Sequence, residues 1–385
     1  MSTFDCHWTI GAFLLCTFTG ALLVDAQQCM PAMQDLTLMM SWKNIQWSEE
    51  QTENHTTNAY GEAYNESAII PTRMQIWRTQ VFLTFPRYRP GIPFSLGYVL
   101  LNSTNRFDTE IYPFPSWLEH SSKDSYASIV NAVDIYLDHN NLMLWVLDTG
   151  EINSLVKPSR IAPPRIFGIH ITDRKVIKVI DLSDMVCAGK SRLQFVVADA
   201  SGAGSDTNLF VSDAGTRSLI VYKGPMTSDS HGFRVQLPPL LCLKSTGCQQ
   251  DVLHLMISGG GGGGDCSRPR ARLYFSYLSG EYLFSALDKD LSEGKTLASV
   301  SQVGVKPSRL VFAGVDGDLG TNLFFRRDQD SNTIYSWNVS TAFQSDNLVI
   351  RDCPPSCRQA TSVTAGYKDL IWALESNIWV RQGHY

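Results

Sequence analysis

The sequence predicts an all-β, six-bladed propeller, and three observations carry that prediction. Short β-type runs dominate the 385 residues, and no long apolar pattern of helical period interrupts them. One pattern occurs six times: an apolar residue, an aromatic and a second apolar residue, followed by turn chemistry. Its copies are Val81-Phe82-Leu83, Leu144-Trp145-Val146, Leu209-Phe210-Val211, Leu273-Tyr274-Phe275, Leu323-Phe324-Phe325 and Ile371-Trp372-Ala373. The central aromatics are 63, 65, 64, 50 and 48 residues apart. Recurrence in fixed order at such intervals is the mark of radially repeated sheets. A pair of β-sandwiches with coincidental spacing is the competing arrangement.

Composition permits this fold and excludes several others. Hydrophobic residues are 44% and aromatics 11%, enough for a large core and too many for a disordered chain. Charged residues are only 18% and the net charge is -5, so the basic footprint of a nucleic-acid binder is missing. The 28 glycines and 17 prolines are near average usage, which excludes a collagen-like or low-complexity chain.

In chain order, the first element is an export signal. Trp8 to Val24 is an uncharged apolar run, and Val24-Asp25-Ala26 places small residues at the positions that signal peptidase reads. Residues 1–26 are therefore read as a signal peptide cut after Ala26, and 27–385 as a single propeller domain. The first residues carry no Lys or Arg, and an uncleaved anchor is the alternative. No later run approaches membrane-spanning length, so no membrane association is expected after cleavage. An extracellular location follows, and four Asn-x-Ser/Thr sequons at Asn54, Asn65, Asn102 and Asn338 agree with it as glycosylation sites.

Nine cysteines stand at 6, 16, 29, 187, 242, 248, 266, 353 and 357. Removing the leader leaves seven, so at least one thiol is free or bridges two molecules. Cys353 with Cys357 and Cys242 with Cys248 are local pairing candidates. No CxxC or suitably spaced histidine pair points to a metal, and no cofactor motif is present.

Within the repeats, 209–222, 273–287 and 323–337 each read as a hairpin. The run of glycines 259–264 reads as a loop insertion before the fourth copy. It is not a phosphate cradle, because no Gly-Lys-Ser/Thr follows it.

These blocks resemble the yellow / major royal jelly protein family. The likeness runs from about Trp47 to Trp379 and is strongest at Val81–Val99, Leu142–Gly150, Leu209–Tyr222, Arg272–Leu287 and Thr333–Asn338. It implies a secreted six-bladed propeller. Family members include pigmentation proteins, some assigned dopachrome conversion, nutrient proteins and salivary binders of biogenic amines. The resemblance also places family cysteines where this chain has Asn141, Ala162 and Ser336, implying a different disulfide framework.

If the repeated strand is innermost in each blade, equivalent positions converge on the central channel. The residue three after each aromatic points to the opposite side from it. Those residues are Phe85, Asp148, Asp213, Tyr277, Arg327 and Glu375. Three carboxylates, a guanidinium and two rings would suit a small aromatic amine or catechol-type ligand. Asn322 and Phe324, opening the fifth copy, join them as candidate ligand contacts at the channel mouth. Each has a structural alternative. Asp148 and Asp213 precede Thr-Gly and Ala-Gly, where Asp commonly bonds backbone amides. Arg327 and Glu375 can form an ion pair, and Phe85 and Tyr277 can be core.

No GxSxG, HExxH or comparable catalytic spacing occurs, and no catalytic residue is identified. His139, His170 and His254 lie in strand-rich context, where a hydrogen-bonded structural role is expected; Asp148, Asp213 or His254 would serve if proton transfer were needed. The leading expectation is a secreted propeller that binds a small aromatic ligand without turnover. A dopachrome-converting enzyme is the first alternative and a structural or nutritive glycoprotein the second. An oligomer is compatible with any of them.

Overall fold

The computed structural model describes residues 8–13, 38–42, 57–102, 110–121, 126, 128–199, 206–225, 231–239, 251–259, 271–294, 299–317, 320–328, 333–352 and 359–376. Strands are numbered along the chain, beginning with β1 (Trp8–Phe13) and β2 (Leu38–Trp42). Strands β3 (Arg73–Trp77), β4 (Gln80–Thr84), β5 (Leu96–Leu100) and β6 (Tyr112–Pro113) form one antiparallel sheet. Strands β7 (Ala132–Asp138), β8 (Met143–Asp148), β11 (Arg165–His170) and β12 (Lys175–Asp181) form the next. Between β8 and β11 stands the small pair β9 (Glu151–Ile152) and β10 (Ser159–Arg160).

The third sheet is β13 (Leu193–Asp199), β14 (Asp206–Asp213), β15 (Ser218–Pro225) and β16 (His231–Gln236). The fourth is β17 (Leu253–Ser258), β18 (Arg272–Tyr277), β19 (Tyr282–Leu287) and β20 (Ser301–Val305). Strands β21 (Leu310–Val315), β22 (Asn322–Arg327), β23 (Ile334–Asn338), β24 (Leu348–Asp352), β25 (Gln359–Gly366) and β26 (Leu370–Ser376) join β1 and β2 in one eight-stranded sheet, ordered β2-β1-β26-β25-β21-β22-β23-β24.

The chain is an all-β propeller. Strands β3, β7, β13, β17, β21 and β25 each touch the next, and β25 returns to β3, so they surround a common axis. The sheets of four or more strands number five among the described residues, where the repeats predicted six. The difference lies at β21 and β25, whose two-residue parallel bridge (Gly314 with Val363, Val315 with Thr364) fuses the fifth and sixth repeats into one sheet. Glycine makes that bridge possible: a Cβ on Gly314 would lie 1.6 Å from the Val363 carbonyl oxygen.

The repeated triplet has a clear packing role. It occupies the second strand of every repeat: β4, β8, β14, β18, β22 and β26. Both faces of these strands are covered, so successive side chains go to opposite neighbours. The flanking residues of each triplet pack backwards and the aromatic packs forwards. Leu144 and Val146 join Phe82, Leu96 and Tyr98 of the preceding sheet, whereas Trp145 joins Val196, Leu209 and Val211 of the following one. Phe210 packs forward among Leu255, Leu273 and Phe275, and Tyr274 among Phe312, Leu323 and Phe325. Phe324 packs with Ile371 and Ala373, and Trp372 closes the circle against Val81 and Leu83. Each such buried side chain contributes about 1.5–3 kcal/mol relative to exposure, and the apolar-aromatic-apolar order is what one strand between two sheets requires.

The three expected hairpins are present as β14–β15, β18–β19 and β22–β23. Strand β1 falls inside the segment read as leader; it pairs with β26 on one side and β2 on the other. Asn54, residues 260–264 of the glycine run, and cysteines 6, 16, 29, 242, 248, 266, 353 and 357 lie outside the described residues. Cys187 is a free thiol. Among the described residues, no helix is long and apolar enough to cross a membrane.

Candidate functional site

The strands that face the axis are those preceding the repeated ones, and this moves the site. Two cavities lie along the axis, of about 530 and 870 Å³, and each is lined by residues of all six inner strands. The larger takes the beginnings of these strands and the residues just before them, such as Thr72, Asn131, Leu193, Val252, Val311 and Thr361. The smaller takes their later residues, among them Leu137, Val197, Ile257, Val315 and Gly366. All six inner strands therefore run from the larger chamber to the smaller.

Arg73 and Phe195 line both chambers and stand where they meet. The Arg73 guanidinium lies 4.6 Å from the centre of the Phe195 ring and 3.2 Å, through Nε, from Asp134 Oδ1. Its Nη1 donates to the Thr361 carbonyl at 2.7 Å. The second Asp134 oxygen accepts the Val196 amide at 2.8 Å. Burial pushes the Asp134 carboxyl up to about 6, against the opposing pull of Arg73 and the Val196 bond. Tyr88, on the larger chamber, is also raised by burial.

Beside this pair His254 lies between two phenylalanine rings, stacked on one and tilted against the other. His254 packs against Phe312 with centroids 5.0 Å apart and planes 12° from parallel, and against Phe195 at 5.2 Å. It lines the larger chamber, is 2% exposed, and neither ring nitrogen has a hydrogen-bond partner. The hydrogen-bonded structural role expected from sequence is therefore not what the fold gives it. Burial holds the imidazole well below its usual titration range, and Arg73, Lys306 and Arg326 add to the effect. It is a neutral ring with one donor and one acceptor unused, and each orphaned group costs about 1–3 kcal/mol. Arg326 also lines the larger chamber, with Nε donating to Ala360 O at 3.0 Å; burial lowers it to about 10.

The eight residues predicted from sequence lie elsewhere, because the repeated strand is second from the axis rather than innermost. None lines either chamber. Phe85 is core, edge-on to Phe94 at 6.2 Å. Asp148 accepts the amides of Val130 at 2.7 Å, Asn131 at 2.9 Å and Gly150 at 2.7 Å, and Asp213 those of Arg192 at 2.8 Å and the Ser191 and Thr216 hydroxyls. Both carboxylates thus fasten the second strand to the segment entering the inner one. Tyr277 donates its hydroxyl to Ala214 O at 2.6 Å, and Asn322 donates to Asp316 at 2.6 Å. Phe324 is fully buried, the Arg327 guanidinium lies 5.1 Å over Tyr335, and Glu375 is buried in β26.

Sequence reasoning did not single out Arg73, Asp134, Phe195, Phe312 or Arg326. One signal for two of them existed: a charge set among apolar residues of a strand, as Asp134 in AVDIYLD or Arg326 after LFF. Asn65 and Asn102 are exposed and Asn338 is partly so. Among the described residues no group of three His, Cys, Asp or Glu is placed to hold a metal.

Comparison with known proteins follows the same lines. The chain is 29% identical to Protein yellow of Drosophila melanogaster over 112 residues, 29% of this chain and 20% of that protein. It is 25% identical to Major royal jelly protein 5 of Apis mellifera over 190 residues, 49% of this chain and 31% of that protein. The chain thus spans a third or less of the length of these relatives. Among solved structures it is similar to the periplasmic gluconolactonase PpgL of Pseudomonas aeruginosa (TM-score 0.40, 10% identity, 90% of this chain and 82% of that one). It is also similar to the Cps50 (Swd1) β-propeller domain of Myceliophteria thermophila (TM-score 0.38, 9% identity, 80% and 96%). The family model described as Major royal jelly protein matches residues 130–384, more than half of the chain, and the chain belongs to that family.

Proposed function

We propose that this protein is a secreted, glycosylated, six-bladed propeller that binds a small aromatic ligand, of catechol or aromatic-amine type, in its axial channel. One observation carries the reading. His254 lines a chamber of about 870 Å³, is buried and held neutral, lies between Phe195 and Phe312, and has no hydrogen-bond partner on either ring nitrogen. A ligand ring packs beside these rings, and a ring hydroxyl is able to donate to the unprotonated imidazole nitrogen or to accept from the protonated one, a single nitrogen per hydroxyl because the two point away from each other. Six as the blade number is supported by the ring of six inner strands and by the forward packing of all six repeated aromatics.

Calorimetry with dopamine, serotonin and 4-methylcatechol tests the binding. The parent is expected to bind at least one of them at micromolar concentration, and His254→Ala or Phe312→Ala to weaken it at least tenfold. A parent that binds none overturns the proposal in favour of a structural or nutritive role. A second reading, proton transfer on dopachrome, is favoured by His254 alone, since a neutral imidazole can accept a proton. Dopachrome consumption that is lost in His254→Ala decides for it.

Export with cleavage after Ala26 belongs to the same proposal. Cleavage removes β1 and bares the edge of β26 that β1 covers. Secreted protein beginning at Gln27, with glycan on at least one of Asn54, Asn65, Asn102 and Asn338, supports it; secreted protein beginning at Met1 overturns the cleavage.

A further inference from the structure

The two chambers differ in charge. Arg73, Arg160, Arg192 and Arg326 line the larger one, against a single carboxylate, Glu151, which lies 3.4 Å from Arg160. The smaller has Asp134, Asp316 and Asp369 with Arg73 and His139. Arg73 is paired with Asp134. Arg326 is 4% exposed and donates through Nε and Nη1 to two backbone carbonyls. Among the described residues it has no ion pair, and the nearby Asp328 lies 3.1 Å from Arg309. A buried guanidinium hydrogen-bonded only to carbonyls, whose nearby carboxylate Asp328 is shared with Arg309, thus lies on the same chamber as the unpartnered His254.

We infer that the larger chamber takes an aromatic acid: a ring seated against Phe195 and His254, with a carboxylate directed to Arg326. This rests on the proposal that the channel binds an aromatic ligand, and it selects the charge of that ligand. An ammonium in the same place meets Arg73 and Arg326 and gains no buried carboxylate from the larger chamber. A carboxylate gains charge-assisted hydrogen bonds to a planar fork that is already desolvated. One orphaned nitrogen of His254 is then left for a ring hydroxyl.

The test uses three compounds with the same ring and different charge: 3,4-dihydroxyphenylacetate, 4-methylcatechol and dopamine, titrated into the full secreted chain at pH 7 and low salt. The acetate should bind tenfold to a hundredfold more tightly than dopamine, with 4-methylcatechol between them. Arg326→Gln should bring the acetate-to-dopamine ratio close to one, and Arg326→Lys should keep the preference for the acid. If Arg326→Gln does not fold, the ratio in the parent and in Arg326→Lys still decides. Binding of 4-methylcatechol without preference for the acetate overturns this inference alone. Absence of binding by all three compounds overturns the channel reading and this inference with it.

Discussion

Arg73 and Asp134 meet at 3.2 Å on the axis, and between them they tie four repeats together. Arg73 starts β3, reaches the Thr361 carbonyl of β25 and covers the Phe195 ring of β13; Asp134 belongs to β7 and accepts the Val196 amide of β13. A propeller closes only if its first and last repeats hold each other, and this pair acts there beside the Trp372 packing.

Arg73→Met should therefore destabilise the fold in a pH-dependent way. Folding already raises the Asp134 carboxyl from 3.8 to about 6, so stability from this group is fullest at low pH and falls as pH rises toward 6. Without Arg73 the buried carboxylate loses its counter-charge and its pKa rises further. The loss should reach about 3–5 kcal/mol at pH 7.5 and be clearly smaller at pH 4.5, read by urea unfolding at the two pH values. An equal loss at both would show that Arg73 acts through Thr361 and Phe195 alone.

Asp213→Ala should cost stability and leave the ligand site alone. Asp213 is fully buried and accepts from the Arg192 amide and from the Ser191 and Thr216 hydroxyls, with Arg234 at 3.6 Å. Leaving those donors without an acceptor should lower the unfolding free energy by about 2–4 kcal/mol. Affinity for the channel ligand, measured calorimetrically on the folded protein, should stay within about threefold. A larger drop would return Asp213 to the binding site.

His120, in the short helix Leu118–Ser121, is 1% exposed, and burial lowers it to about 4 from 6.5. The unfolded chain takes up a proton more readily than the folded one, so stability is full above pH 6.5 and is lost as pH falls toward 4. The loss should be on the order of 3 kcal/mol. His254 is lowered too and adds in the same direction. The midpoint of urea unfolding should fall between pH 7 and pH 4.5, and His120→Gln should reduce that slope. An unchanged slope in the variant would exclude His120 as its source.

Gly314→Ala should be among the most damaging single-methyl changes. The added Cβ has the Val363 carbonyl oxygen at 1.6 Å, which forces β21 and β25 apart. A loss of at least about 3 kcal/mol is expected, with hydrogen exchange at Thr364 and Ala365 rising before that of β13 and β14. A variant as stable as the parent would show that the parallel bridge is dispensable.

Much of the architecture was written in the sequence. The triplet marked one strand in each copy and the alternation of its side chains, because a strand covered on both faces must be apolar at every position, while its six copies fall in five sheets. Leu144, Trp145 and Val146 satisfy that requirement locally. For Asp148 the alternative of bonding backbone amides was legible in the Thr-Gly that follows it, whereas Asp213 takes one amide from the segment before β13 and two hydroxyls. Radial rank was decided only by the tertiary structure. Period two states that neighbouring side chains face opposite sides, but not whether a strand is first or second from the axis, so the predicted ring of Phe85, Asp148, Asp213, Tyr277, Arg327 and Glu375 fell one strand outside the channel. The site depends on contacts between repeats: His254 of β17 stacks on Phe312 of β21 and meets Phe195 of β13 at a tilt, and Arg73 meets Asp134 across two sheets. The joining of the last repeats into one sheet likewise hangs on the missing side chain of Gly314, which lets two inner strands approach within hydrogen-bonding distance. No local pattern records which distant strand will lie opposite a side chain; closure of the circle fixes it.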